Sequence, residues 1–444
     1  MSGRSVGSPV LGVEPGEATL RLATWLASIG AASCNDKVMA HCRLVFADTV
    51  ACMVGGLSYP EVARLATVLN GPGVRERFTG IEATPSDLAL LLGFAGAALE
   101  LDEGHYAAGG HPGVHAAAAV LAEAARTGAS DEDCVLAFLA GYEAGGRVGE
   151  ATEMRSTVHP HGTWGVVSAA VSVAWLRGYD ATQMAAAINV AASLGLATSA
   201  SAPLRGASVR SVWVGAAARN GVLSCDLVEA GVTGEPDGCA SVFGGVIGSS
   251  FDAQRLTDRL GEYFVITGNF MKLHASCRET HGAVAALAAA RGKALFNPDD
   301  VLRVEIETFA DAARLSEAEP VSEMAARFSI QAAVAATILD GSVAVDSFAP
   351  GRLERPALKT LMQRVVVREV SDANAALPDV RICRCRIVLS DATVLAGEVH
   401  AAPGDSGSPL SIGELQAKFD ALCARVTGQE GAAPATKALR RFLC

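Results

Sequence analysis

Lys272-Leu273-His274-Ala275-Ser276-Cys277-Arg278-Glu279-Thr280-His281 divides this chain into two textures. Before it, apolar residues recur at helical spacing; after it, β-branched runs and period-two alternation appear. The stretch gathers two permanent cations, two histidines, a thiol and two hydroxyls. His274, Arg278 and His281 stand at i, i+4 and i+7, so a helix here puts them on one face. An alanine-rich helix is expected from about 280 to 291, with Ser276 and Cys277 near its N-terminus, where free N–H groups and the helix dipole favour an anion. Cations beside a helix N-terminus suit a carboxylate-bearing ligand, and imidazole suits proton transfer near neutral pH. The same residues also suit a solvated turn that starts a helix.

Upstream, helical patterns cover 20–29, 37–54, 60–69, 85–101, 115–127, 131–142, 165–176, 181–196 and 212–231. Prolines stand where a first helical turn tolerates them, and Ser130 is placed to cap the helix after it. Short Gly turns between these segments imply a compact bundle. Strand alternation of any length is not found before about residue 260. Downstream, 301–308 alternates as a half-buried strand, 327–340 returns to helix, and 364–370 is a β-branched run. Residues 380–389 and 393–399 read as a hairpin across Ser390-Asp391-Ala392. A Pro/Gly/Ser linker at 402–409 leads to helices at 411–426 and 433–442, expected to pack back on the bundle. The fold class is mainly α, a large all-helical domain plus a smaller α+β domain. The boundaries are 16–267 with 405–444 for the first, 268–404 for the second, and 1–15 as a flexible tail.

With 444 residues the chain has room for two or three domains. Its net charge of −11, with no Lys/Arg run, argues against a nucleic-acid partner. The first residues lack the apolar stretch of a signal peptide, and no charge-free run of about 18 apolar residues suggests a membrane span. Scattered cysteines fit reduced thiols in a cytoplasm, and neither they nor the histidines have zinc spacing, so no metal is expected.

Three further polar islands interrupt the apolar background. Glu100, Asp102 and Glu103 crowd a helix C-terminus, where the dipole disfavours them, ahead of His105 and His111-Pro112-Gly113. His159-Pro160-His161-Gly162 precedes an apolar helix. Arg205 and Arg210 precede Gly215, and Arg210 can grip a carboxylate with its fork. Each also reads as a solvated turn or a local cap.

Taken in order, these islands resemble the MmgE/PrpD family. The resemblance is carried by Asp102-Glu103 with His111-Pro112-Gly113, and by His159-Pro160 with Gly162-Thr163-Trp164-Gly165. Arg210 with Gly215-Ala216-Ala217-Ala218-Arg219-Asn220-Gly221, Gly231-Val232-Thr233-Gly234, Lys272 with Cys277-Arg278 and His281, and Phe328-Ser329-Ile330 with Leu339-Asp340-Gly341 extend it over roughly residues 20–400. The family includes 2-methylcitrate dehydratase, cis-aconitate decarboxylase and iminodisuccinate epimerase. The resemblance implies a helical domain, an α+β lid, a site between them, homodimers and no cofactor. It places the catalytic groups on Asp102, His111, His159, Lys272 and His281, and substrate contacts on Glu100, Glu103, Arg210, Ser276, Cys277 and Arg278. The chain departs from the decarboxylase pattern at Glu100, Gly104, Arg210 and Cys277, and Ser276-Cys277 is similar to the epimerase-like members. The expected chemistry is proton transfer at a carbon next to a carboxylate, in a cofactor-independent lyase of dehydratase type. An epimerase of an iminodisuccinate-like substrate, a cis-aconitate-type decarboxylase and a non-catalytic homologue are the alternatives. Within the second island the family pattern asks for His159 but not for His161, which makes His161 the expected control position.

Overall fold

Ala, Gly, Leu and Val dominate residues 15–229, and most helices there carry their own start signal. The computed structural model describes residues 13–426 apart from 293 and 295, together with 439 and 441–443. The helices are α1 Pro15–Ala27, α2 Asp36–Gly56, α3 Pro60–Leu69, α4 Pro85–Ala98, α5 Pro112–Thr127, α6 Asp131–Ala151, α7 Gly165–Leu176, α8 Ala181–Ala192 and α9 Val209–Glu229. Proline opens α1, α3, α4 and α5. Asn35 and Thr84 cap α2 and α4, and reciprocal capping boxes start α6 (Ser130, Asp133) and α8 (Asp180, Gln183).

α4 and α9 cross where Gly93 meets Gly215. A Cβ on Gly93 would lie 2.6 Å from the Gly215 Cα, and one on Gly215 only 2.0 Å from the Leu90 carbonyl oxygen. Hydrogen at these two positions therefore sets the depth of the crossing. The crossing also brings the first turn of α9, with Arg210, against the last turn of α4.

Most boundaries match the sequence expectation within a few residues, and the exceptions have physical causes. α6 runs nine residues past the expected end at 142. Its buried extension is stitched to the following chain: Glu143 accepts the Val265 and Ile266 N–H groups at 3.0 Å, and Arg147 donates to Asp258 O and Tyr263 O at 2.8 Å. The helix at Pro356–Arg364 was not expected, although its proline start and the buried Leu358, Leu361 and Met362 carry the signal. The bundle also holds short strands of two to four residues, Gly104–His105 against Asn269–Phe270 among them. α2 is long and apolar enough to cross a membrane, but 78% of its apolar window is buried inside the protein, as in a core helix.

His274 does not share a helical face with Arg278 and His281. A 3₁₀ turn covers Arg278–Thr280 and α10 runs His281–Arg291, leaving His274 in a bend. The backbone before α10 bonds elsewhere: Ala275 N–H donates to Val343 O at 3.0 Å and Cys277 N–H to Arg327 O at 2.8 Å. Downstream, a four-stranded sheet has the order Val394–Val399, Cys383–Leu389, Val301–Thr308, Val365–Glu369, with only the last pair parallel. α10 covers this sheet, and a second core forms from residues such as Leu287, Ile306, Val334, Leu361 and Ile387. The first core joins the bundle helices, and Phe419, Leu422 and Cys423 of the helix Ile412–Ala424 pack into it. The expected helix at 433–442 falls mostly outside the described residues, as does residue 1–12 of the expected tail, while Pro15 already begins α1.

Replacing Gly215 by Ala should destabilise the fold by about 1–3 kcal/mol through overpacking, even though Ala is the better helix former by about 1 kcal/mol. Gly30→Ala, where no atom lies within 4 Å of the added Cβ, should be nearly neutral. Urea midpoints of the two variants measure the difference, and equal midpoints would count against the crossing.

Candidate active site

α4 stops at Ala98 because the chain turns sharply. Leu99 caps it, and Glu100 takes φ +55°, a left-handed conformation that is costly for a non-glycine residue. The turn aims the side chains of Glu100, Asp102 and Glu103 inward, where all three are buried. Cations meet them there. Arg210 pairs with the Glu100 carboxylate. Lys272, fully buried in the segment after the strand Asn269–Phe270, lies 3.5 Å from Glu100 Oε2 and 3.6 Å from Asp102 Oδ1, and donates to Glu100 O at 3.2 Å. Burial lowers Lys272 from its ordinary range, with Asp102 opposing the shift. Burial also works against ionised Asp102, but His111 and Lys272 outweigh it and hold the carboxyl well below the usual range. Arg210 is pushed down by burial to about 9, which leaves it charged at neutral pH.

His111 occupies the mouth of α5. Its Nδ1 lies 2.5 Å from Glu103 O and 3.0 Å from Asp102 Oδ2. A carbonyl oxygen can only accept, so Nδ1 carries a proton, and in the neutral ring Nε2 is the bare nitrogen. Glu103 fixes this mouth by accepting from Gly113 N–H at 2.6 Å and from the Tyr142 hydroxyl at 2.8 Å. Burial raises Glu103 to about 7.

The turn 159–162 is pinned to Thr198, whose hydroxyl donates to His159 O at 2.6 Å, and closes through Gly162 at φ +85°. His159 Nδ1 accepts the His161 N–H at 3.1 Å, so neutral His159 carries its proton on Nε2. Burial holds His159 down at about 3 and His161 well below the ordinary imidazole range. The His161 ring stands edge-on to His111 at 4.7 Å and to His159 at 4.8 Å, and its Nε2 accepts from Arg210 at 3.4 Å. His161 therefore sits at the centre of the cluster and cannot serve as a neutral control.

The opening stretch splits between two places. Lys272 joins the cluster, and Cys277 lies within electrostatic reach of Lys272 and Arg210, its thiol pushed up by burial. Arg278 instead acts as a clamp. It donates to the Tyr106 hydroxyl (3.0 Å), Pro403 O (3.0 Å), Ala402 O (3.2 Å) and His281 Nδ1 (3.2 Å), and pairs with Asp405. His281 is buried, with Nε2 3.4 Å from Ser276 O, and Ser276 hydrogen-bonds Thr280 at 2.7 Å. Ser276, Arg278 and His281 thus bind protein groups around the site, whereas Glu100, Asp102, Glu103, His111, His159, Arg210 and Lys272 converge.

Sequence reasoning passed over three contributors. Arg327 donates to Ala98 O at 3.1 Å. Lys418 donates to Leu101 O at 2.9 Å and pairs with Asp48 at 2.7 Å. Lys418 lies on the same helical face as Leu415, Phe419 and Leu422, and Asp48 sits among the buried residues of α2; a charge inside an apolar stripe is the signal that finds them. His115 completes the histidine cluster, with Nδ1 2.8 Å from His111 O and Nε2 accepting from Gly162 N–H at 3.3 Å.

Two solution properties follow. Removing the Lys272 ammonium (Lys272→Met) strips the two buried carboxylates of a partner and should cost about 3–5 kcal/mol in urea unfolding. Burial lowers six of the nine histidines, His105, His115, His159, His161, His274 and His281. Below their ordinary value of 6.5 the unfolded chain binds protons there that the folded chain refuses. Glu103 and Glu143, both raised to about 7, act in the opposite sense, as do Asp48, Glu76, Glu150 and Glu279, which burial also raises. The histidine contribution to stability should therefore fall as pH drops from 6.5 toward 4.5, and a pH dependence of the urea midpoint across that window left unchanged by His274→Asn would contradict the assignment.

Comparison with known proteins places this architecture. The MmgE/PrpD N-terminal domain matches residues 20–256 and the MmgE/PrpD C-terminal domain residues 274–440. The cis-aconitate decarboxylase of Mus musculus is 26% identical over 310 residues, covering 66% of this chain and 62% of that enzyme. That of Homo sapiens is 25% identical over 338 residues, 71% of this chain and 69% of the enzyme. That of Aspergillus terreus is 23% identical over 450 residues, 93% and 90% of the two lengths. The two domain matches run consecutively over most of the chain, and the protein belongs to the MmgE/PrpD family.

Proposed function

We propose that this chain is a cofactor-independent lyase of dehydratase type, acting on a small di- or tricarboxylate or hydroxy acid by proton transfer next to a carboxylate. The observation that carries this reading is the opposite tautomers of two histidines in one buried cluster. In their neutral forms, His111 presents a bare Nε2 and His159 presents Nε2–H. Dehydration needs both: a base to take the proton next to the carboxylate and an acid to protonate the departing hydroxyl. His111 is the base. His159 is a neutral donor, a role imidazole fills when its surroundings keep it uncharged. Lys272 and Arg210 supply the positive charge that stabilises the enolate-like intermediate, and Glu100 and Asp102 keep those cations charged despite burial. Glu103 holds the mouth of α5 and so orients His111.

A second reading, decarboxylation, is favoured by the names of the relatives at 23–26% identity. It needs proton delivery after CO₂ leaves, and the same His159 donor serves. Epimerisation is the third outcome, since Ser276-Cys277 is similar to the epimerase-like members.

The working form is proposed to be a cytoplasmic homodimer. The abundance of Ala- and Gly-rich helix faces in a chain with few aromatics supports an assembly. The domains are proposed to be 16–267 with 405–444, and 268–404, in keeping with two separate hydrophobic cores. A clean monomer by sedimentation at micromolar concentration would reject the dimer.

The test is a set of small polycarboxylates and hydroxy acids followed by NMR in D₂O. Dehydration gives vinylic signals, decarboxylation gives a product short of one carboxylate, and epimerisation gives deuterium exchange without either. No exchange into any acid would reject the enzyme reading. On the substrate found, His159→Gln should lower kcat by about 10²–10⁴-fold with KM within a few-fold. A raised KM with kcat intact would make His159 a packing residue.

A further inference from the structure

Asp102, His111 and His161 each offer a ligand atom, and these atoms all lie within 4.8 Å of one another. Two imidazoles and a carboxylate are the donor set of zinc-class metals, not of magnesium or calcium. We infer that these three residues form a binding site for a divalent metal ion of the zinc class, and that its occupation blocks turnover. The second half rests on the functional reading above; the first half does not.

Four observations support the site. Asp102 and His161 are fully buried, while the His111 side chain keeps 13% exposure, which gives an ion its way in. Both Asp102 carboxylate oxygens are ion-paired, with His111 and Lys272, but make no hydrogen bond of good geometry, so the carboxylate keeps acceptor capacity for a ligand. Tetrahedral zinc with Zn–N of about 2.0 Å sets its ligand atoms about 3.3 Å apart, a spacing within the 4.8 Å that contains these three atoms. His161, which the sequence pattern did not ask for, supplies the second imidazole. Lys272 at 3.6 Å from Asp102 and Arg210 at 3.4 Å from His161 oppose any cation held by charge alone. They therefore select for metals that bond covalently to imidazole and against hard ions. Binding takes His111, the proposed base, out of proton transfer.

The test uses the full chain freed of metal by a chelator and then titrated with Co²⁺, whose visible ligand-field bands report nitrogen and oxygen ligation. The expected result is one Co²⁺ per chain, displaced by Zn²⁺ and not by Mg²⁺. His161→Asn should weaken binding by more than the roughly 10–100-fold that losing an outer-shell partner costs. His400→Gln, in the exposed lid strand region, should bind as the unsubstituted chain does. Because His161→Asn can impair folding, zinc X-ray absorption on the unsubstituted chain provides the independent measure, with two imidazoles and no sulfur in the first shell. Absence of cobalt bands at millimolar metal, sulfur ligation, or unaltered binding by a folded His161→Asn overturns the site. Proton exchange in D₂O that persists at saturating Zn²⁺ overturns the inhibition alone. A chain that binds cobalt as expected yet exchanges no acid, with or without metal, refutes the functional reading while the site stands.

Discussion

The end of α4 is the point on which the rest of the structure depends. Its last carbonyls and those of the turn beyond are taken one after another by cationic or imidazole donors: Ala97 O by Arg210, Ala98 O by Arg327, Glu100 O by Lys272, Leu101 O by Lys418 and Glu103 O by His111. Positive charge is favoured at a helix C-terminus, by up to about 2 kcal/mol in partly buried settings. Hydrogen bonds from charged donors add about 1.5–3 kcal/mol each. These contributions exceed the roughly 1–3 kcal/mol that Glu100 incurs in its left-handed conformation. The strained turn persists because its surroundings over-determine it.

The same donors explain why three carboxylates stand where the dipole disfavours them. Glu100 and Asp102 balance Arg210 and Lys272 in a buried cluster, and neither sign is stable there alone. Glu103 is treated differently, being held by Tyr142 and a backbone N–H and raised toward neutrality. Asp102 and Glu103, one residue apart, thus acquire different electrostatic states from their partners.

What was legible in the sequence were features set by local pattern. Helix spacing, proline starts and the alternation at 301–308 gave the bundle and the sheet, and the clustered polar residues marked most of the site. What was not legible depends on partners distant in the chain. α4 stops early because Arg210, Arg327 and Lys272 take the carbonyls that further helix would use. His274 leaves the expected helical face because Val343 and Arg327 claim the backbone around it. Periodicity could not show that Arg278 meets Asp405, that Lys418 meets Leu101, or that His161 sits between two other rings.

The order in which these donors occur in the chain has a consequence for biosynthesis. A ribosome makes the α4 turn long before Arg327 or Lys418, while domains tend to condense as they emerge. The bundle helices can therefore collapse on the nascent chain, but the turn must wait, with its carbonyls solvated, until the C-terminal helix docks. Truncation before residue 418 would leave much of the bundle's apolar core in place and still remove a support of the turn. Competence for chemistry would thus arrive as a late maturation event rather than with the fold.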